Sequence, residues 1–220
     1  MGKLTKHLSL LLLSLATAGA PWPVIAATAN PVVQPEAEED FQAIFNGKDL
    51  TGWVGDTNLW RVRDGMIVGK SPGIDHNEFL STKSEYGDFE LRLSFRVVGG
   101  VGDSGVQFRS SRIPQSPQVS GYQADILDGY WSSVWDEARR DRFLAEADQA
   151  EVSKVLKKDG WNDYVIRCQG DHVEVWFNGL KTVDYHETDP SIPRSGIIAL
   201  QTHSGKPQEI QFKNLQLKKL

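Results

Sequence analysis

The sequence has a single cysteine, Cys168, among 220 residues. An internal disulfide is therefore excluded, and we expect Cys168 to be a small buried side chain in a fold held together by core burial. No basic cluster alternates with aromatic residues, and the formal net charge is only -5, so a nucleic-acid partner is disfavoured. No apolar run reaches the roughly 20 residues that a membrane-spanning helix needs.

Several catalytic and metal-binding motifs are also missing. The chain has no Gly-x-Ser-x-Gly elbow, no phosphate-binding glycine loop and no pair of histidines at the spacing of a zinc motif. The Gly-Asp-Ser-Gly string at 102–105 lacks the disulfides and the upstream histidine and aspartate of a serine protease. The sequence predicts no cofactor with certainty. It leaves open a divalent cation held by aspartates such as Asp103, Asp125 or Asp128, and the metal ligands are unknown.

The N-terminal segment has the layout of a secretory signal peptide, with a basic start, an apolar run over residues 8–20 and then alanines. We predict a signal peptide over residues 1–29, a flexible acidic linker over 30–40 and one domain over 41–220. The protein is then expected to be periplasmic or secreted, with no membrane span.

Alternation of apolar and polar residues with period two dominates the domain. The segment DFELRLSFRV at 88–97 is typical of a half-buried antiparallel strand, and seven further short segments resemble strands. An Asp-Gly pair at 64–65 and an Asn-Gly pair at 178–179 predict tight hairpins. The first segment, at 41–47, is expected to pair with the C-terminal strand. We predict an all-β, two-sheet antiparallel β-sandwich with one helical or irregular excursion around 131–156.

Three predicted strands each carry an amide and an ionisable group two residues apart, and hence on one strand face. The pairs are Gln107 with Arg109, Gln123 with Asp125, and Gln201 with His203. If these strands are neighbours, the side chains make a polar floor whose amides suit sugar hydroxyls. For any one pair, a solvated outer face is the alternative. Trp131 and Trp135, in the excursion, are candidates for stacking on sugars.

Several blocks in fixed order resemble the 3-keto-disaccharide hydrolase domain family over residues 41–220: FNGKDLTGW, GDSGVQFRS, GYQADILDGYW, DEARR and GIIALQTHSG. The resemblance implies a concanavalin-like jelly roll with a concave sheet that can hold carbohydrate, in an exported bacterial protein. Family members described as active cleave glycosides whose sugar has a ketone at carbon 3. A base removes the proton on carbon 2, the group at carbon 1 is eliminated, and water adds to the enone.

The resemblance and the demands of this reaction suggest roles for the candidate residues. Asp125 or His203 is the base, and Arg109 or a bound cation stabilises the enolate oxygen. Substrate-binding roles are expected for Gln107, Gln123, Gln201, Trp131 and Trp135. The partner is then a 3-keto sugar, with the linkage and the oligomeric state not predicted. The alternative is a non-catalytic carbohydrate-binding module with the same fold.

Overall fold

The computed structural model describes residues 40–220, so the predicted signal peptide and the linker up to residue 39 lie outside the described residues. In chain order the strands are β1 (Gln42–Ala43), β2 (Trp53–Val54), β3 (Trp60–Arg63), β4 (Met66–Ser71), β5 (Glu78–Thr82), β6 (Phe89–Val97), β7 (Asp103–Arg112), β8 (Val119–Leu127), β9 (Val134–Glu137), β10 (Phe143–Ala145), β11 (Asn162–Gln169), β12 (His172–Phe177), β13 (Leu180–His186), β14 (Ile197–Thr202) and β15 (Gln208–Lys219), and the helix α1 (Gln149–Val155) lies between β10 and β11. Within this part of the chain, no helix is long and apolar enough to cross a membrane.

The strands form two antiparallel sheets, which confirms the predicted fold class. The eight-stranded sheet has the order β13-β12-β11-β6-β15-β4-β3, with β1 also paired to β15 as expected. The seven-stranded sheet has the order β10-β9-β8-β7-β14-β5-β2. Non-local pairings such as β6 with β15 and β7 with β14 close the sandwich, so each sheet combines strands from both halves of the domain.

The core lies between the sheets and follows the alternation of the strands. On β6 all five apolar residues of the predicted face are buried: Phe89, Leu91, Leu93, Phe95 and Val97. The opposing layer comes from alternate residues of β7, β8 and β14, including Phe108, Tyr122 and Leu200. Cys168 is fully buried as expected, and burial raises the pKa of its thiol to about 12.

Both predicted hairpins are present. Asp64 and Gly65 have φ values of 51° and 73° between β3 and β4, and Asn178 and Gly179 have φ values of 48° and 84° between β12 and β13. Asn and Gly tolerate this left-handed backbone best, which explains the use of these dipeptides at two-residue turns.

The excursion contains less helix than its composition suggests. Only the seven residues of α1 are α-helical, beginning after Asp148, whose carboxylate accepts hydrogen bonds from two backbone amides of the first turn. Earlier in the segment, Ala138 and Asp141 adopt φ values of 49° and 48°, which a helix does not allow. The chain there forms β9 and β10, which extend the seven-stranded sheet at its edge.

The expectation that Arg109 shares a strand face with Gln107 is wrong. The pairing of β7 with β8 shifts register between Phe108 and Ser111, and Arg109 has a φ of 45°. A β-bulge of this kind inserts a residue and breaks the alternation on which the expectation depended.

Arg109 instead holds one end of the sandwich together. Its guanidinium donates to the carbonyl oxygen of Gly87 at 3.0 Å, to that of Gly170 at 2.7 Å and to Asp88 Oδ1 at 2.7 Å. These partners lie just before β6 and in the turn between β11 and β12, so the side chain ties the seven-stranded sheet to the other sheet. Its role is structural because all of these contacts are to the protein's own backbone and one carboxylate.

Replacing Arg109 with Met is expected to lower the free energy of unfolding by about 2–4 kcal/mol, because two carbonyl groups and one carboxylate lose their donor while the aliphatic stem is kept. Urea unfolding monitored by tryptophan fluorescence measures this loss. Arg61→Met, at an exposed position on β3, is the control and should change stability by less than about 0.5 kcal/mol. Equal stabilities of the two variants would contradict the role given to Arg109.

Candidate functional site

A row of buried polar side chains crosses the seven-stranded sheet on the face turned away from the core. Its members come from three neighbouring strands and are each at most 5% exposed: Gln107, Gln123, Asp125 and Gln201. Gln107 lies directly opposite Gln123 in the pairing of β7 with β8, and β14 pairs with the other side of β7. The structure therefore brings together the amides and the aspartate that the sequence pattern singled out.

Three hydrogen bonds join this row into a chain that ends at Asp125. Ser110 Oγ donates to Gln107 Oε1 at 2.7 Å, Gln107 Nε2 donates to Gln123 Oε1 at 2.9 Å, and Gln123 Nε2 donates to Asp125 Oδ1 at 2.7 Å. Each amide accepts from one neighbour and donates to the next, so the direction of every bond is fixed. We call this arrangement the amide chain.

Gly105 makes the amide chain sterically feasible. A Cβ atom at this position would lie 2.3 Å from Cδ of Gln123, whose side chain passes over the glycine. Gly105 is opposite Asp125 in the sheet, and Gln201 comes from the strand on its other side. The missing side chain leaves room in which the groups of Asp125 and Gln201 face one pocket.

Asp125 has a strongly perturbed acidity. Burial raises the pKa of its carboxyl to about 8, the hydrogen bond from Gln123 opposes this rise, and the charges of Asp103 and Glu137 add to it. The group is therefore mostly protonated at neutral pH. Because Oδ1 accepts from Gln123, Oδ2 is the atom that carries the proton.

His203 lies at the same pocket with its ring oriented by its neighbours. Nδ1 is 2.9 Å from the carbonyl oxygen of Ser204, and Nε2 is 3.5 Å from Asp103 Oδ2. A carbonyl oxygen only accepts, so Nδ1 carries the proton of the neutral ring and Nε2 holds the free electron pair. Burial raises the pKa of Asp103, His203 opposes this rise, and Glu137 adds to it.

These groups line a pocket of about 300 Å³ that we call the polar pocket. Aromatic rings form one wall, where Tyr130 stacks on Phe143 at 4.6 Å between centroids and Trp135 meets Phe143 edge-on at 4.9 Å. The rest of the lining is Asp103, Gln123, Asp125, Leu127, Glu137, Gln201 and His203. A flat apolar wall facing amides and carboxyl groups suits a sugar ring, which has apolar faces and polar edges.

Gln201 has no hydrogen-bond partner for its amide in the described part of the protein. The residue is fully buried, and yet neither Nε2 nor Oε1 makes a hydrogen bond. A buried polar group left unpaired costs about 1–3 kcal/mol, so such groups are rare and call for an explanation. A ligand that offers both a donor and an acceptor in the polar pocket would satisfy them.

A second cavity of about 520 Å³ adjoins the polar pocket and shares Asp103, Leu127 and His203 with it. We call it the apolar cavity. Its further lining comes from two loops and the excursion: Gly100, Val101, Gly102, Asp128, Trp131, Lys158, Ser204, Lys206, Pro207 and Gln208. The two spaces together form a depression long enough for a ligand of two parts, with His203 and Asp103 at the junction.

The two tryptophans singled out by sequence lie in different places. Trp135 is in the aromatic wall of the polar pocket, whereas Trp131 lines the apolar cavity, is only 7% exposed and stacks on Phe95 of the core. Two other predicted site residues, Arg109 and Gln107, line neither cavity. Arg109 is structural, and Gln107 contacts Gln123 through the amide chain without reaching the polar pocket itself.

The sequence analysis missed Tyr130, Glu137 and Phe143 as lining residues. The available signal was the spacing of Trp135 and Glu137, two residues apart on one face of β9, but the helical composition of that segment concealed the strand. Neighbouring Asp136, by contrast, is fully buried and pairs with Arg139 and Arg140, which fixes the loop between β9 and β10.

The carboxylates of the polar pocket do not form a ready metal centre. Asp103, Asp125 and Glu137 provide oxygen ligands of the kind that hard cations prefer. Their ligand atoms, however, do not meet within 4.8 Å of one another, either as a trio or with His203. The residues therefore do not fit a cation without rearrangement, and a metal ion is given no role in the chemistry below.

The solved structures of similar fold include two candidate glycosyl hydrolases and a carbohydrate-binding module. Two candidate glycosyl hydrolases of Parabacteroides distasonis align with TM-scores of 0.64 and 0.62 at 22% and 25% identity, covering 83% and 82% of this chain and 94% and 99% of theirs. A carbohydrate-binding module of Bacillus subtilis, CBM66, aligns with a TM-score of 0.60 at 17% identity, covering 76% and 95%. Fold and pocket together define a two-sheet antiparallel β-sandwich with a polar pocket on one sheet.

The chain belongs to the 3-keto-α-glucoside-1,2-lyase-like domain family, whose profile matches residues 40–218. This match confirms the resemblance seen in the sequence blocks, and it makes the function of the chain carbohydrate-related. No curated protein matches the chain significantly in sequence.

Asp125→Asn is expected to flatten the dependence of stability on pH. The folded-state pKa of about 8 lies above the ordinary value of 3.8, so the stabilisation from the bound proton is complete below about pH 4 and is lost as pH rises towards 8. Between pH 5 and 8, the wild type should lose up to about 1.4 kcal/mol per pH unit through this group.

Urea unfolding at several pH values from 5 to 8.5 measures the slope. Asparagine resembles the protonated carboxyl and can still accept from Gln123, so the variant should fold and be the more stable protein at pH 8. Asp128→Asn, at an exposed turn position, should keep the wild-type slope. Parallel curves for the wild type and Asp125→Asn would mean that the folded protein does not hold this proton.

Proposed function

We propose that this protein cleaves 3-keto glycosides by elimination across carbons 1 and 2 of the sugar, followed by addition of water. One observation carries the proposal: Asp125, a buried carboxyl group whose pKa is raised to about 8, and His203, an imidazole whose Nδ1 lies 2.9 Å from a backbone carbonyl oxygen, line one sugar-sized pocket. An elimination of this kind needs one acid and one base at the same time.

His203 is the base in this proposal. The ketone at carbon 3 acidifies the hydrogen on carbon 2, and Nε2 accepts that proton while the electrons of the C–H bond form an enolate with the ketone. The enolate electrons then form the double bond between carbons 1 and 2 as the bond from carbon 1 to the glycosidic oxygen breaks. Asp103 Oδ2, 3.5 Å from Nε2, then lies beside the imidazolium and stabilises its charge. Of the two candidate bases, His203 is preferred to Asp125. The carboxyl group of Asp125 is mostly protonated at neutral pH and so cannot accept the proton from carbon 2.

Asp125 is the acid. As the bond between carbon 1 and the glycosidic oxygen breaks, the leaving oxygen takes the proton from Oδ2, and the resulting carboxylate keeps its hydrogen bond from Gln123. A pKa of about 8 is close to the working range of a general acid at neutral pH. The amide chain holds the carboxyl in place through this change.

Gln201 is proposed to bind the ketone oxygen. Negative charge develops on this oxygen when the proton leaves carbon 2, and an amide donor already desolvated in the pocket stabilises it without reorganisation. The unpaired Nε2 of Gln201 provides such a donor. It takes the role that the sequence analysis had offered to Arg109 or a cation.

The apolar cavity is proposed to hold the leaving group. It adjoins the polar pocket at His203 and Asp103, which is where the cleaved bond would lie in this arrangement. Its walls include Val101, Leu127, Trp131 and Pro207, which favour an apolar or aromatic aglycone over a strongly hydrated one. The predicted signal peptide supports a site of action in the periplasm or outside the cell.

A non-catalytic carbohydrate-binding module is the second candidate. It is favoured by the aromatic wall and the amides, which would hold an unoxidised sugar equally well, and by the similar fold of CBM66. The two functions differ in their need for the proton on Asp125, because binding alone requires no acid.

The purified protein is expected to cleave a 3-keto glucoside and to leave the unoxidised glucoside intact. His203→Asn and Asp125→Asn should each lower kcat by about 10²- to 10⁴-fold, the usual contribution of general acid–base catalysis. Deuterium at carbon 2 of the substrate should slow the wild type if removal of this proton limits the rate. Product formation followed by chromatography provides the readout.

His76→Asn is the matched control, since His76 pairs with Asp75 outside both cavities and its loss should leave kcat unchanged. Undiminished turnover in both pocket variants would refute the assigned roles. Saturable sugar binding without any cleavage would favour the binding module.

Val101→Asp should lower kcat/KM for a 3-keto glucoside with an aromatic aglycone by about tenfold. The substitution places a charge in the wall of the apolar cavity, where the aromatic group is proposed to bind. The same variant should cleave a 3-keto methyl glucoside at the wild-type rate. Val101 is 74% exposed, so the substitution is not expected to disturb the fold. Equal losses on both substrates, or none on either, would place the leaving group elsewhere.

A further inference from the structure

Two histidines that are distant in sequence meet on the hairpin formed by β12 and β13. His172 and His186 are directly paired across the strands, and their rings stack at 4.1 Å between centroids with an angle of 6°. No short sequence motif indicates this contact, because the register of the hairpin brings the two residues together. The hairpin is at the edge of the eight-stranded sheet, and none of its histidines lines either cavity.

A carboxylate completes a group of three ligands. Asp184 lies two residues before His186 and so on the same face of β13, and its Oδ1 is 2.7 Å from Nε2 of His172. The ammonium group of Lys181 also contacts the carboxylate of Asp184. Between residues 40 and 220, no other set of three or more His, Cys, Asp or Glu side chains gathers its ligand atoms within 4.8 Å.

We propose that His172, Asp184 and His186 form a surface binding site for a divalent transition-metal ion of the zinc type. Two imidazoles and one carboxylate are the donor set that zinc prefers over the oxygen-only sets of calcium and magnesium. Two ligands at alternate positions of one strand and a third on its neighbour bring one ligand atom each within 4.8 Å of the others above the sheet. The site is independent of the proposed glycoside cleavage.

The distances suit an ion after small movements of exposed side chains. Zinc bonds to nitrogen and oxygen are about 2.0–2.2 Å long, so the ligand atoms of a tetrahedral ion are ~3.4 Å apart. At present His172 Nε2 is 2.7 Å from Asp184 Oδ1, and the three ligand atoms all lie within 4.8 Å of one another. The side chains of Asp184 and His186 are more than half exposed and free to rotate by this amount.

Neighbouring charges support and also regulate the site. Asp171 Oδ1 is 3.4 Å from Nδ1 of His186, which directs the other ring nitrogen, Nε2, to the ion, as outer-shell carboxylates do at zinc sites. Lys181 contacts Asp184 and donates to Glu174 Oε1 at 2.6 Å. Its ammonium group therefore lies where it competes with a metal ion for Asp184. A metal ion that binds Asp184 must displace Lys181 from this carboxylate. Lys181 then keeps its ion pair with Glu174.

Titration of the purified protein with Zn²⁺ in a calorimeter tests the proposal. One ion per chain should bind, and His172→Gln or His186→Gln should each weaken binding by more than about tenfold, since even the loss of an outer-shell partner commonly costs that much. Lys181→Gln should instead strengthen binding several-fold, because it frees Asp184 and removes a competing positive charge. All three positions are on an exposed hairpin, so the variants should fold, which circular dichroism checks.

Two further variants make the result decisive. His76→Gln removes an exposed histidine that also has a carboxylate neighbour but lacks a second imidazole, and it should bind Zn²⁺ like the wild type. His203→Gln tests the polar pocket. The proposal is overturned if the wild type does not bind Zn²⁺, or if His172→Gln and His186→Gln both bind it as tightly as the wild type. Loss of binding only in His203→Gln would likewise overturn it, because it would place the ion in the polar pocket.

Discussion

The polar pocket depends on one constraint: a carboxyl group is buried in the middle of a sheet, where water cannot solvate its charge. Asp125 meets this constraint by keeping its proton and by accepting a hydrogen bond from Gln123, which is itself held by Gln107 and Ser110. Every link of the amide chain satisfies a buried group that would otherwise be unpaired. The chain therefore sets both the position of the carboxyl and its protonation state.

The backbone around the amide chain is shaped to the same constraint. Gly105 leaves the space through which the Gln123 side chain reaches Asp125. A few residues further along β7, the bulge at Arg109 turns this side chain away from the polar face. Its guanidinium lies at the end of the sandwich, where it contacts Gly170 and Asp88. Arg109 is therefore not part of the polar face that carries the amide chain.

The fold could be predicted from sequence because alternation and turn dipeptides are local signals. The buried face of β6 and the hairpins at 64–65 and 178–179 were predicted in this way. The bulge at Arg109 has no local signal, since it arises from pairing with two neighbouring strands. The contact of His172 with His186 was missed for the same reason, since it too depends on strand pairing. Glu137 was missed because the composition of its segment is typical of a helix, whereas the segment forms β9.

The protonated carboxyl also bears on the choice between catalysis and binding alone. Sugar hydroxyls are bound well by amides and by ionised carboxylates at a solvent-exposed rim, where a carboxylate keeps its hydration and its full acceptor capacity. A buried Asp125 makes the folded protein less stable as pH rises towards 8, and as a neutral acid it gains only one donor in exchange. Binding does not need that exchange, whereas proton transfer to a departing oxygen does. The energetic disadvantage is understandable if the proton on Asp125 is used in a reaction, which favours the proposed enzyme over the binding module.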